Sequence, residues 1–350
     1  MKSIHRMQLP REVVIGRNTI LEIDNILSRL NLKKKVLILT GERTLKIAGE
    51  KTNKLLIKKG FETEIEIVKY ATLEQINELL KKFENNTFNV ILGVGGGKII
   101  DVTKMVSLKK FIPFISIPTT ASHDGLSSPR ASIRGANKLY SIQTAAPLGI
   151  IADIEIIMKA PYRLLASGCA DLISNTTAVY DWKLANIKTG EYYGEYAASL
   201  ANMCADLIIK NAELIKNFNE EGVRIVLESL ISSGVAMSIA GSSRPASGGE
   251  HLFSHSLDKI DHKHALHGEQ CGLGSIIMMY LQGRDWRTIQ EALKIIGSPI
   301  NAKELGLKPD DIIDALVYAP KIRKDRYTIL NDYELDRNKA ETILRKVEII

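Results

Sequence analysis

A chain of 350 residues, 45% hydrophobic and 25% charged, is long enough to bury two cores and has an ordinary globular composition. Its net charge of +7 is spread along the chain, with no basic run interleaved with aromatics, so nucleic-acid binding is set aside in favour of solvated helix faces. There is no apolar run of about eighteen residues and no apolar N-terminal core, and the three cysteines, Cys169, Cys204 and Cys271, lack CxxC spacing; a cytoplasmic protein without a membrane span is expected.

In chain order, Lys35–Thr40 reads as a buried strand, and Leu45 to Lys59 as a helix stopped by Gly60. Phe61 to Tyr70 reads as a second strand, and Thr72 opens a helix running to about Phe83. Phe88 to Val94 is a third strand, followed by Gly95-Gly96-Gly97 and a helix through Val106. Phe111 to Ile117 is a fourth strand closed by Pro118, and residues 131–142 read as a hairpin at the sheet edge. Strands alternating with helices of this length predict a doubly wound α/β domain with a mainly parallel sheet, over residues 1–155. From 156 to 350 the apolar spacing is helical throughout, which predicts an all-α second domain.

Two loops in the first domain are candidates for a ligand. The glycines of Gly93-Val94-Gly95-Gly96-Gly97-Lys98 lie where a strand ends and a helix starts, so backbone amides at the helix N-terminus can meet a phosphate. The spacing is not GxGxxG, so this is not the usual dinucleotide fingerprint. The second loop, Pro118 to Ser128, is rich in hydroxyls and follows the next strand; neighbouring loops at strand carboxyl ends flank one crevice.

The second domain carries five of the seven histidines, at 251, 255, 262, 264 and 267. Ser247-Gly248-Gly249-Glu250 fits a capping box, which places His251 in a first helical turn and His255 one turn later on the same face. A returning helix opening at His267-Gly268-Glu269 brings His267 near His251. Asp171 interrupts an apolar helical face and is the best third ligand; an Asp and two His with an open position suit a catalytic zinc. His262 and His264 read as solvated loop, and Cys169 and Cys271 as small buried packing.

The glycine loop with Asp101, the Thr119-Thr120-Ala121-Ser122-His123-Asp124-Gly125 loop, Asp171, the His251/His255 pair and His267-Gly268-Glu269 resemble the superfamily of dehydroquinate synthases, glycerol dehydrogenases and iron-containing alcohol dehydrogenases. The likeness runs in order over nearly the whole chain. It is strongest to the archaeal sn-glycerol-1-phosphate dehydrogenase branch over Ile117 to Ile133 and Ser247 to His255.

That resemblance implies NAD(H) or NADP(H), one zinc ion per subunit, a homo-oligomer, and reduction of dihydroxyacetone phosphate to sn-glycerol 1-phosphate for archaeal ether lipids. It implies cofactor contacts at Gly95, Gly96, Gly97, Lys98, Ile99, Ile100, Asp101, Thr119, Thr120, Ala121, Ser122 and Ser128. Substrate contacts are implied at Asp124, Asp171 and His255, with His255 also catalytic beside the ligands Asp171, His251 and His267. Alternatives on the same scaffold are a glycerol or polyol dehydrogenase and a dehydroquinate synthase-like lyase. Iron-containing members carry a His four residues after the Asp; Asn175 stands there, which argues for three protein ligands and zinc. The synthases carry Glu in place of Asp171, which weakens the lyase reading. Glu42 and Arg43 are where NAD and NADP would be told apart, and Arg130, Lys138 and Arg244 are the candidates for gripping a substrate phosphate.

Overall fold

The computed structural model describes residues 4–33, 35–135, 138–260 and 265–350. It divides into two compact units, Met1–Pro161 and Tyr162–Ile350.

The first unit is built on a six-stranded, all-parallel sheet ordered β1-β8-β5-β4-β2-β3. Its strands are β1 (Glu12–Gly16), β2 (Lys35–Thr40), β3 (Glu62–Ile67), β4 (Val90–Gly95), β5 (Phe114–Pro118) and β8 (Gly149–Asp153). Side chains alternate across a strand, and here both faces are covered. Val36 and Ile38 of β2 enter one core, with Ile23, Leu27 and Leu56 of the helices on that side. Leu37 and Leu39 enter the other, with Ile76, Leu79, Ile99 and Val102. The chain moves from β2 outward to β3, then returns to the other flank of β2 for β4 and β5. The carboxyl ends of β2 and β4 thus form a topological switch point, where such sheets bind ligands. Thr40 Oγ1 joins the two ends by donating to Val94 O at 2.8 Å.

The sheet domain departs from the sequence reading in two ways. Strands β1 and β8 extend the sheet beyond the four expected strands. The hairpin, β6 (Arg130–Gly135) with β7 (Lys138–Gln143), is a separate antiparallel ribbon rather than an extension of the sheet edge. It packs over helix Gly97–Lys110 and is tied there through Ser132 N–H, which donates to Asp101 at 3.1 Å.

The second unit is helical. It opens with two helices, Tyr162–Ile173 and Asn175–Thr189, broken at Ser174. Helix Glu220–Ala240 is long and apolar enough to span a membrane, but 67% of its most apolar window is buried inside the protein, as in a core helix. Helices Gly249–Ile260 and His267–Leu281 run out and back, as the histidine spacing predicts, and pack on each other; the second also packs on Tyr162–Ile173. The segment between them that carries His262 and His264 lies outside the described residues.

Candidate metal centre and cofactor loop

Close helix packing assembles the second unit's site. Gly268 lies so near helix Tyr162–Ile173 that a Cβ on it would sit 1.9 Å from Ser167 O. This contact sets His267, its neighbour in sequence, against Asp171 one turn beyond Ser167. His251 Nε2 is 3.9 Å and His267 Nε2 3.8 Å from Asp171 Oδ1. The rings of His251 and His267 meet edge to face with centroids 4.9 Å apart. Asp171 is 4% exposed, and the two imidazoles that meet it in this recess are only partly buried, with the His267 side chain 36% exposed.

Hydrogen bonds fix which ring nitrogens face inward. His251 Nδ1 lies 3.0 Å from Glu250 Oε1, a carboxylate that only accepts, so Nδ1 carries the proton and Nε2 is the nitrogen turned to the recess. Ser254 Oγ donates to Gln270 Oε1 at 2.6 Å and so receives the proton of His267 Nδ1 at 3.1 Å. His267 Nε2 faces inward for the same reason. The capping-box pattern predicts Glu250 as a capping acid. It serves as one, accepting from Gly248 N–H just ahead of the helix; fully buried, it also accepts from Thr177 Oγ1 and His251. Burial opposes its charge, but these donors hold its carboxyl below the ordinary range. Burial likewise opposes charge on His251, yet the adjoining Cys271 sulfur and Glu250 hold its imidazole well above its usual value.

These donors fit a metal ion. Two imidazole nitrogens and a carboxylate oxygen converge at tetrahedral-edge spacing, and each imidazole is backed by the partner that such ligands need. Cys271 joins them: its sulfur and the donor atoms of Asp171, His251 and His267 all lie within 4.8 Å of one another. Cys271 is fully buried, as packing would be, but beside the expected ligands; Cys169 is buried and outside this group. Sequence could flag Cys271 only as one helical turn beyond His267. Asn175 turns elsewhere, its amide donating to Ala201 O and Ser233 Oγ.

His255 stacks on His267 with centroids 6.0 Å apart, and its buried Nδ1 has no hydrogen-bond partner among the described residues. Burial first, then the neighbouring His267, His251, Arg326 and Arg323, push its imidazole well below its ordinary value, so it is neutral.

In the first unit, β4 ends at Gly95 and helix Gly97–Lys110 begins. A Cβ on Gly95 would sit 2.5 Å from Ile99, and one on Gly97 2.0 Å from His123, so side chains are excluded where the backbone turns. The helix's first bonds run from Ile99 and Ile100 N–H to Gly96 O, which leaves the amides of Gly97 and Lys98 ahead of the ladder, available to an anion. The hydroxyl loop adjoins them through Thr119 N–H, which donates to Gly95 O at 3.1 Å. Thr119 Oγ1 is buried without a partner among the described residues, a polar atom that a bound ligand would satisfy. Thr120, Ala121, Ser122 and Asp124 continue the same loop, with Ser127 and Ser128 bonded to Asp124 O. Lys98 Nζ caps Lys69 O, and Asp101 is buried on Lys104 and Ser132, holding the glycine helix to the ribbon. Ile99 and Ile100 are core residues whose main chain forms the helix's first turn.

The phosphate candidates fare differently. Arg244 is 2% exposed and engaged with Glu191 and Tyr327 O, a structural role. Arg130 bonds Ser141 and Gln143 within the ribbon, and the Lys138 side chain lies outside the described residues.

The profile of the iron-containing alcohol dehydrogenases matches residues 14–161. A glycerol dehydrogenase from Schizosaccharomyces pombe superposes with a TM-score of 0.81 at 20% identity, covering 98% of this chain and 90% of that one. The parallel-sheet domain followed by a helical domain is thus the fold of glycerol and iron-containing alcohol dehydrogenases. At higher identity the chain is 51% identical to a glycerol-1-phosphate dehydrogenase (NAD(P)+) of Methanosarcina mazei, over 98% of this chain and 96% of that one. It is 50% identical to one from Pyrococcus horikoshii, over 99% of this chain and 100% of that one. The chain belongs to the glycerol-1-phosphate dehydrogenase family.

Proposed function

We propose that the protein reduces dihydroxyacetone phosphate to sn-glycerol 1-phosphate with NADH or NADPH, in the cytoplasm, with one zinc ion per subunit of a homo-oligomer. The product would form the glycerophosphate backbone of archaeal ether lipids. The identity to glycerol-1-phosphate dehydrogenases supports the activity. The observation that carries the metal-dependent part is the convergence of Asp171, His251 and His267, with Glu250 and Ser254 backing the imidazoles from the far side.

When bound, zinc supplies a Lewis acid for the ketone and the reduced nicotinamide supplies a hydride. The protein's part is to bind and orient. Asp171, His251 and His267 would hold the ion, with the Asp171 carboxylate buried and the His267 ring partly open to solvent. His255, one turn past His251, is neutral and has an unpartnered Nδ1 with which to hydrogen-bond substrate or pass a proton. Asp124 and Asp171 complete the assigned substrate contacts. Gly95, Gly96, Gly97 and Lys98 cradle the pyrophosphate, with Ile99, Ile100 and Asp101 in the same turn. Thr119, Thr120, Ala121, Ser122 and Ser128 line the adjoining loop. Glu42 and Arg43, after β2, decide between the two nicotinamide cofactors.

Replacing Asp171 or His251 by Ala should abolish both bound metal and dehydrogenase activity while leaving the circular dichroism spectrum native. A variant that keeps full zinc content and turnover removes that residue from the ligand set.

A further inference from the structure

Dihydroxyacetone phosphate is short: three bonds separate its ketone carbon from phosphorus. A cation that meets the phosphate therefore stands within a side chain's reach of the groups that meet the ketone. Two arginines, Arg326 and Arg323, carry charge that bears on the His255 ring. They follow the single turn Ala319–Lys321, which packs on helix Gly249–Ile260, the carrier of His251 and His255.

The two differ in what holds them. Arg326 is 7% exposed, and its guanidinium donates to Ser247 O and Oγ at 2.5 and 3.0 Å and to Ser243 Oγ at 2.9 Å. It fastens its segment to the loop that leads into helix Gly249–Ile260, and so fixes where Arg323, one short turn earlier, stands. The Arg323 side chain is 38% exposed and paired with Asp325, Nη2 to Oδ2 at 2.7 Å, a carboxylate that is itself 70% exposed. An ion pair this open to water is weak, and the released carboxylate stays hydrated, so a phosphate dianion can replace it. Arg163, which also approaches the His267 helix, is different: its partner Glu269 is 3% exposed and would be left buried and uncompensated. Arg244 is likewise buried on Glu191.

We propose that Arg323 grips the substrate phosphate and so makes the site select a phosphorylated ketone over the unphosphorylated one. The inference rests on the ketone-reduction reading above and deepens it. On binding, Arg323 exchanges Asp325 for two phosphate oxygens, which match the parallel N–H donors of its planar fork, and no covalent bond changes. The contact is the same before and during hydride transfer, so it enters through KM and not kcat.

Steady-state reduction of dihydroxyacetone phosphate and of unphosphorylated dihydroxyacetone by the zinc-replete full chain with NADH tests this. In Arg323→Gln the KM for the phosphorylated substrate should rise at least about tenfold with little change in kcat. Zinc content, NADH affinity and kcat/KM for dihydroxyacetone should match the parent, so the preference for the phosphorylated substrate falls by the same factor. Lys321→Gln, the same change of charge in the same segment, should leave that preference intact. Should Arg323→Gln fail to fold, Arg323→Lys carries the test: it keeps the charge without the fork, and KM should still rise for the phosphorylated substrate alone. An unchanged KM, rates for both substrates falling together, or an equal loss in Lys321→Gln overturns the role of Arg323 and leaves the reduction reading standing. If the unaltered protein with zinc and NADH reduces neither substrate, that reading fails and the proposal with it.

Discussion

Asp181 shows how one residue can support the site without touching it. It is fully buried in helix Asn175–Thr189, and its carboxylate accepts from Gly249 N–H at 2.7 Å, Ile329 N–H at 2.9 Å and Gln282 Nε2 at 3.2 Å. The first of these bonds anchors the start of the helix that carries His251 and His255. Burial, and next the charge of nearby Glu250, push its pKa up to about 7 despite the three donors. In the unfolded chain the same group titrates near 4. Between those values the folded state holds more protons than the unfolded one, so the contribution of Asp181 becomes less favourable as pH rises through that window. An amide in its place does not titrate. Asp181→Asn should therefore be less stable than the parent at pH 5, having turned an amide N–H toward a donor. The gap should narrow by up to about 2.6 kcal/mol between pH 5 and pH 8, read from urea midpoints. A gap independent of pH would mean that Asp181 has the same pKa in both states.

Among the elements, the crossing of helices Tyr162–Ile173 and His267–Leu281 matters most to the site, and Gly268 makes it possible. A methyl group there would lie 1.9 Å from Ser167 O, a backbone atom that moves only if its helix moves. Gly268→Ala should destabilise the fold by about 3 kcal/mol and lower metal retention on dialysis. Separating these helices widens the 3.8 Å gap between His267 and Asp171. A parental urea midpoint with full metal content would show that the crossing tolerates the extra atom. The helices and four of the sheet strands were legible because their apolar period changes at clear punctuation such as Thr72, Gly60 and the glycine loop. Strand β8 was not. Its apolar run continues without change of pattern into helix Ile154–Ile157, and it pairs with β1, more than a hundred residues earlier. Strand β1 is five residues long and only half-buried, too little alternation to stand out. Local pattern also gave the hairpin but not its docking place, which depends on the half-buried Asp101–Ser132 bond.

At the scale of the molecule, the candidate sites lie in two units with their own cores: a glycine-turned loop with leading helix amides in the sheet domain and an imidazole–carboxylate cluster in the helical one. The juxtaposition of Asp171, His251 and His267 was readable because histidines clustered and an acid broke an apolar face. Glu250 and Ser254 as partners of the imidazoles were not, because those contacts exist only once the side chains meet, and an acid next to a histidine looks only like a cap. The most direct test follows reduced-nicotinamide absorbance with dihydroxyacetone phosphate and zinc-replete protein, then assigns the enantiomer formed. Absorbance should fall, the fall should stop with a chelator and resume with zinc, and the product should be sn-glycerol 1-phosphate. Flat absorbance with zinc bound, turnover indifferent to chelation, or the sn-3 enantiomer as product would contradict the account.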